Sequence, residues 1–298
     1  MKKQQKNLEL SIIILTYNVE QVIKACLDSV FACLKNDWEV IVIDNNSTDK
    51  TVEMLKSQAS AEDGLIQHDN FEIIENKENL GFAGGNNLAV KKAKGKYILF
   101  LNPDTVVDKN SINFCLEYLK NNPDVGAATV EVVLGNGKLD YSCHRGFPTP
   151  WNAFCFFSGI TKIFPKVKLF SGYTLGYKNP EEIHEVDAIN GAFFMLPRDL
   201  GNRLNWFDTD FFWNGEDLDF CFRIKETGHK IMYLPEEKIT HYKGVSGGHL
   251  RGSKTFYSRF DVMKLFYDKH YRKKYPEFVR WLVFGGINFR MGAQWLLG

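Results

Sequence analysis

Short apolar, β-branched runs alternate with helix-type spacing through the first hundred residues. Residues 10–16 (LSIIILT) are almost continuously apolar, as a strand buried on both faces requires, and a helical stretch follows over 19–31. Further strands are predicted over 38–43, 71–75 and 97–101, with helices starting near Ser47 and spanning 87–94. This is the order of βαβ units, and it predicts an α/β fold with a mostly parallel sheet flanked by helices. The alternation breaks after Val133. Residues 134–185 are rich in Gly, Pro and aromatic side chains, and an organised pattern resumes at Val186. Three parts are therefore expected: 8–133 as a ligand-binding half, 134–250 as a second half, and 251–298 as a basic, amphipathic helical extension.

Each predicted strand of the first half ends in polar residues. Ligands of open α/β sheets bind beyond the carboxyl ends of the strands. Thr16-Tyr17-Asn18, Asp44-Asn45-Asn46, the loop 76–87 and Asn102-Pro103-Asp104 are thus expected along one edge. Composition then narrows the classes. At 298 residues, 44% hydrophobic, the chain can bury a sizeable core. Its 37 Lys and Arg balance 36 Asp and Glu, and the net charge of +1 excludes a nucleic-acid binder driven by counterion release. No run approaches the ~20 apolar residues of a membrane-spanning helix. The opening MKKQQKNLEL lacks the apolar core of a secretory signal, so a cytosolic protein is expected. The six cysteines show no CxxC pair or zinc-type spacing, which predicts reduced thiols; Cys143 beside His144 is the one pairing that suggests nucleophilic chemistry.

Four segments carry candidate chemistry. NLGFAGGNN matches neither GxGxxG nor the phosphate loop; Gly81, Gly84 and Gly85 precede a predicted helix, where free N–H groups favour an anionic ligand, and they equally suit a turn. In FLNPD, Asp104 closes an apolar strand: its carboxylate can hold a divalent cation and the Asn102 amide a sugar hydroxyl, while Asn-Pro-Asp also makes a good turn. In FDTDFFWNGEDLDFCFR, Glu216, Asp217 and Asp219 open a helical pattern. Acids in a first helical turn serve the macrodipole. Behind the aromatic run Phe211, Phe212 and Trp213 they also have the setting of a general base, since sugars stack on aromatic rings and desolvation raises a carboxyl pKa. In ITHYKGVSGGH, His241 ends a predicted strand, the place for a structural hydrogen bond or for a ligand completing a cation site.

Taken in order, SIIILTYN, EVIVIDNNSTDKT, ENLGFAGGNN, ILFLNPD, INGAFFMLPRD, FDTDFFWNGEDLDFCFR and THYKGVSGG resemble the motif series of the inverting family 2 glycosyltransferases with the GT-A fold. The NPD and FAGGNN variants are similar to rhamnosyltransferase-type members. The resemblance covers residues 10–250 and implies a Rossmann-like half that binds a nucleotide-diphosphate sugar and a second half that binds the acceptor. It places Thr16, Tyr17, Asn18, Asp44 and Asn46 around the donor base and ribose, with Asn79, Gly81, Asn87 and Asn102 lining the same cleft. Gly191 and Trp213 fall on the acceptor side. Asp104 matches the last acid of the family's DxD signature, which binds the Mg²⁺ or Mn²⁺ bridging the diphosphate, and His241 matches a histidine that joins this cation. Asp217, in the ED motif, matches the catalytic base, with Glu216 beside it. The chain departs from the pattern twice. Asn102 replaces the first Asp of DxD, removing one negative charge from the cation site, and Asn86 stands where many members have Arg.

The resemblance implies transfer of a sugar with inversion, rhamnose from dTDP-rhamnose first. The acceptor it implies is a saccharide or a polyprenyl-diphosphate-linked saccharide, in cell-surface polysaccharide assembly. Residues 259–280 carry seven Lys or Arg against three acids, and residues 147–170 carry aromatics and lysines with no acid. These segments suit contact with an anionic membrane on its cytoplasmic face, or else, for the first, a helical cap on the domain and, for the second, the acceptor pocket. Two other readings stay open. A sugar-phosphate nucleotidyltransferase would carry a Gly- and Arg-rich loop where this chain has TYNVEQ; a non-catalytic nucleotide- or sugar-binding module would use Glu216 and Asp217 only as caps.

Overall fold

The computed structural model describes residues 8–35, 37–60, 70–212, 214–243 and 254–297. The apolar runs of the first half become β1 (Leu10–Thr16), β2 (Trp38–Asp44), β3 (Phe71–Glu75) and β4 (Tyr97–Leu101), all parallel and connected through α1 (Ile23–Phe31), α2 (Thr51–Ser60) and α3 (Gly81–Val90). β1 lies between β2 and β4, and Leu10, Ile12, Ile13 and Ile14 are sealed from solvent, the reason for its near-continuous apolar character. Ser11 interrupts that run without being orphaned. Its hydroxyl donates to Glu39 Oε1 (2.6 Å) and accepts from the Gly95 N–H (2.8 Å), while Glu39 also takes the Lys94 N–H (2.6 Å).

The chain continues through β5 (Thr105–Val107), α4 (Ser111–Asn121), β6 (Val125–Leu134), a 3₁₀ turn (Tyr141–Cys143), α5 (Pro150–Phe157), α6 (Ile160–Ile163), β7 (His184–Val186) and β8 (Phe193–Pro197). It ends with α7 (Arg198–Arg203), α8 (Glu216–Glu226), β9 (Lys230–His241), α9 (Lys254–His270) and α10 (Glu277–Leu297). β8 runs antiparallel to β4 and carries the sheet onward in the order β3-β2-β1-β4-β8-β6-β9-β5, with β7 also paired to β9. One nine-stranded sheet therefore passes through both halves, parallel over β3-β2-β1-β4 and mixed beyond.

Helix starts differ from the pattern-based reading. α3 opens at Gly81 rather than near Asn87, so the glycine run lies inside the helix. A Cβ at Gly85 would come within 2.5 Å of Leu15 Cδ1, and one at Gly81 (φ +71°) within 2.5 Å of the Phe212 carbonyl oxygen. Close approach thus overrides the poor helix propensity of glycine. α1 and α2 start later than expected because the residues before them tie two loops together: the Val19 N–H donates to Thr51 Oγ1 (2.9 Å) and the Glu20 N–H to Asp49 Oδ2 (3.1 Å).

The extension divides in two. α9 and the turn after it bury Phe266, Tyr267 and Tyr271 in the main core, whereas α10 packs on α9 around Phe260 and Ile287 and leaves much of its surface in solvent. Among the described residues no helix is long and apolar enough to cross a membrane.

Ser11→Ala leaves the buried Glu39 carboxylate and the Gly95 N–H short of a partner. It is expected to cost about 1–3 kcal/mol, read as a lower urea midpoint at unchanged slope; an unchanged midpoint would show that this network carries no stability.

Candidate active site

The carboxyl ends of β1 and β2 are cross-tied. Asp44, buried at the end of β2, accepts from Thr16 Oγ1 (2.9 Å), Ser47 Oγ (2.6 Å) and the Ser47 N–H (2.8 Å). Asn18 (φ +52°) and Asn46 (φ +67°) adopt the left-handed backbone that Asn tolerates in turns. Asn18 Oδ1 accepts from the Thr48 N–H (2.8 Å), Asn46 is exposed and Tyr17 half-buried. The following loop hangs on Asn45, which donates to Asn79 Oδ1 (3.0 Å) and the Gly81 carbonyl (2.9 Å) and accepts from Asn76 (2.9 Å). Thr16, Asp44, Asn79 and Gly81 are thereby gathered at one edge of the sheet. Asn87 differs: both ends of its amide are engaged by the Phe207 backbone, at 2.7 and 3.0 Å.

Asp104 and His241 meet because β5 pairs with β9 in the register Thr105↔His241. His241 Nε2 lies 3.2 Å from Asp104 Oδ1, both side chains being nearly sealed from solvent, and Asn102 Nδ2 lies 3.5 Å from the same nitrogen. Behind the ring, Nδ1 is 3.5 Å from Asp140 Oδ2. Asp140 is held in turn by Lys243 (2.7 Å), Asn190 (3.2 Å) and the Ser142 hydroxyl (2.7 Å). Burial opposes the imidazolium, but Asp104 and Asp140 outweigh it and raise the His241 pKa above its ordinary value. Burial likewise opposes the charge of Asp140, yet His241, Lys243 and Ser142 hold that carboxyl well below the usual range.

One carboxylate oxygen and one imidazole nitrogen, the imidazole backed by a second carboxylate, suit Mn²⁺ or Mg²⁺ with the remaining positions left to phosphate oxygens and water. Among the described residues no group of three His, Cys, Asp or Glu side chains is placed to hold a metal ion.

At the start of α8, Gly215 sits at φ +89° with its Cβ position 2.5 Å from Val262 Cγ1, a site only glycine fits. Asp217 Oδ2 is paired with Arg145 Nη2 at 2.9 Å, and its Oδ1 accepts from the Leu218 N–H (2.6 Å). Glu216 points inward with Oε2 lacking a hydrogen-bond partner. Burial, and then the neighbouring Asp217 charge, push its carboxyl up to about 8. Burial opposes the charge on Arg145, but Asp217 more than compensates and holds the guanidinium protonated. Burial thus favours the protonated form of Glu216, and Asp217 is the carboxyl group that faces Arg145.

A single strap joins the two clusters. Arg145 and Ala188 exchange backbone hydrogen bonds (3.3 and 3.0 Å), Ile189 N–H meets Cys221 Sγ of α8 (3.5 Å), Asn190 donates to Asp140, and the Ala192 carbonyl accepts from the Asn102 N–H (3.2 Å). Consecutive residues 188–192 thus touch the partner of Asp217 at one end and the surroundings of Asp104 and His241 at the other. Asp140 and Arg145, close in sequence, are at most about 18 Å apart even in an extended chain. Gly191, within the strap, has its Cβ position 2.7 Å from Phe82 Cζ of α3. Trp213 and the glycine-rich loop after Lys243 lie outside the described residues.

Arg145, Asp140 and Asn190 are absent from the sequence-based assignment. Asp140 has a local signal, an Asp capping the turn through the Ser142 N–H (3.1 Å); Arg145 has none, since its role comes from a bridge to residues far along the chain. The Cys143–His144 pairing does not form a nucleophile. The thiol is buried and pushed up to about 12 by burial, and His144 turns to His184, with Nε2 atoms 2.6 Å apart. All six cysteines are free.

Glu216 also makes a stability prediction. Its folded pKa of about 8 exceeds the ordinary 4.5, so the folded state keeps a proton the unfolded chain releases, and stability falls as pH rises between those values. Glu216→Gln removes this term: its Tm relative to wild type is expected to rise from pH 5 to pH 8 and then level off. A difference independent of pH would contradict the assignment.

Residues 11–180 match the model of the family described as Glycosyl transferase family 2. The poly-β-1,6-N-acetyl-D-glucosamine synthase of Staphylococcus epidermidis is 29% identical over 236 residues, covering 79% of this chain and 50% of its own length. The chain spans about half the length of such relatives. Among solved structures, Staphylococcus aureus TarS 1–349 in complex with UDP-GlcNAc superposes with a TM-score of 0.57 at 16% identity, over 94% of this chain and 71% of that one. The mannosyltransferase PcManGT from Pyrobaculum calidifontis, in complex with GDP-Man and Mn²⁺, gives 0.60 at 20% identity over 89% and 64%. These likenesses show a GT-A-type fold, and with the family match over more than half its length the chain belongs to glycosyl transferase family 2.

Proposed function

We propose that this chain transfers a sugar, with inversion, from a nucleotide-diphosphate donor to a saccharide acceptor carried on polyprenyl diphosphate, in cell-surface polysaccharide assembly. The observation that supports this reading is the strap 188–192, which bonds both Asp140, behind His241, and Arg145, the partner of Asp217. Inverting transfer needs those two functions on opposite sides of one anomeric carbon: an acceptor hydroxyl attacks from the face away from the departing diphosphate.

Thr16, Tyr17, Asn18, Asp44 and Asn46 hold the nucleoside at the ends of β1 and β2, and Asn79 and Gly81 close the cleft beside them. Asp104 and His241 are the residues that would hold a divalent cation, which would supply Lewis-acid stabilisation of the leaving diphosphate. Asp217 takes the proton of the attacking hydroxyl, a role worth ~10²–10⁴ in rate. Arg145 orients that carboxylate. Burial and the Asp217 charge push the Glu216 carboxyl up to about 8, which favours its neutral form beside that base. Gly191 falls on the acceptor side.

For the donor, the NPD and FAGGNN variants favour dTDP-rhamnose. UDP-N-acetylglucosamine is the second reading, favoured by the poly-N-acetylglucosamine synthase relative and by the UDP-GlcNAc complex of TarS. A thermal-shift panel of dTDP-rhamnose, UDP-GlcNAc and GDP-mannose, each with and without Mn²⁺, separates them, because a ligand bound by the native state alone raises Tm. Asp104→Ala is expected to abolish the cation-dependent part of that shift. Asp217→Asn is expected to keep the shift and lose ~10²–10⁴ in nucleotide-diphosphate release with acceptor present; normal turnover of this variant rules out Asp217 as the base.

A further inference from the structure

The exposed apolar side chains of this protein are not scattered. On α5, Trp151, Phe154 and Phe157 share one exposed face, and Ile163 (69% exposed), Val167 and Leu169 continue it through α6 and the segment beyond. On α10, Phe278, Leu282 (70% exposed) and Phe289 (79% exposed) follow helical spacing, on a stripe distinct from Val283, Ile287 and Met291, which pack on α9. The Arg290 guanidinium of α10 lies 4.4 Å from the Phe157 ring centre of α5, which brings the two helices side by side. Clusters of exposed apolar side chains of this kind mark a binding face.

We propose that the α5–α6 and α10 face docks on the surface of an anionic phospholipid bilayer. Charge selects this occupant. Lys162, Lys166 and Lys168 are exposed among the aromatics, and residues 147–170 contain no acid; Arg272 and Lys273 are exposed just before α10. Pairing the face with a second copy would set lysines against lysines, whereas anionic headgroups meet them with opposite charge while the rings enter the acyl boundary. Trp151 and Leu169 also line an open cavity of about 520 Å³, together with Lys168, Lys178, Tyr177 and Asp187. The Asp187 N–H donates to the Arg145 carbonyl (3.2 Å), one peptide from the guanidinium partner of Asp217. Docking therefore puts the mouth of this cavity at the bilayer, where a lipid-linked acceptor resides. The surface rests on the proposed transferase reading for its purpose but not for its chemistry.

Flotation with vesicles of phosphatidylcholine containing about one-third phosphatidylglycerol tests it. Wild type is expected to float with these vesicles at low salt and to remain behind with pure phosphatidylcholine. Leu282→Ser combined with Phe289→Ser is expected to weaken binding about tenfold or more, and Lys162→Glu with Lys166→Glu and Lys168→Glu about a hundredfold. Both variants alter exposed side chains, so wild-type Tm certifies their folding. The proposal is overturned if wild type ignores anionic vesicles, if either variant binds as wild type does, or if light scattering shows a dimer that Leu282→Ser with Phe289→Ser dissolves. The nucleotide-sugar thermal shift is read in the same samples without vesicles. Its absence with vesicle binding intact fails the transferase reading and leaves the surface standing, and the reverse result does the opposite.

Discussion

The Arg145–Asp217 ion pair is the constraint on which the site depends. Two charges withdrawn from water pay a desolvation penalty that mutual attraction only partly offsets, so such a pair contributes little net stability. Its effect is positional: the part-buried pair ties the first turn of α8 to the Arg145–Ala188 bridge. The strap that begins at Ala188 ends beside Asn102, so the surroundings of Asp217 and of Asp104 are held by one stretch of chain. Glu216 completes the arrangement: burial and the neighbouring Asp217 charge raise its pKa and favour the neutral carboxyl.

The extension acts on the site from outside. His270 of α9 bonds Asp219 of α8 (2.8 Å), Lys269 pairs with Asp208 and with Asp210 (2.8 Å), and Val262 fills the space left by Gly215. Arg223 adds a second partner to Asp219 (2.8 Å) and caps the Leu204 and Trp206 carbonyls. α9 is therefore part of the support of α8, and the packed-cap reading of residues 259–280 describes α9, whose Phe266 and Tyr267 enter the main core.

How much was legible follows from the range of the interactions. β1, β2 and β4 could be placed from composition because both faces of a central parallel strand are buried, whereas β3 is a part-exposed edge strand. The glycine run was misplaced relative to its helix because the reason for glycine there, contact with Leu15 and Phe212, involves partners distant in the chain. Asn87, assigned to the donor cleft by motif, has its amide engaged by Phe207, a pairing no spacing rule contains.

By itself the sequence determined the strands, the polar strand ends and the motif order that carries Asp104, Asp217 and His241, since periodicity and turn chemistry act over a few residues. Tertiary structure alone decided that Asp140 stands behind His241, that Arg145 faces Asp217, and that α5 and α10 lie side by side. Each of these juxtapositions joins side chains from separate elements, and the packing of a nine-stranded sheet with its helices, rather than any local preference, brings them together.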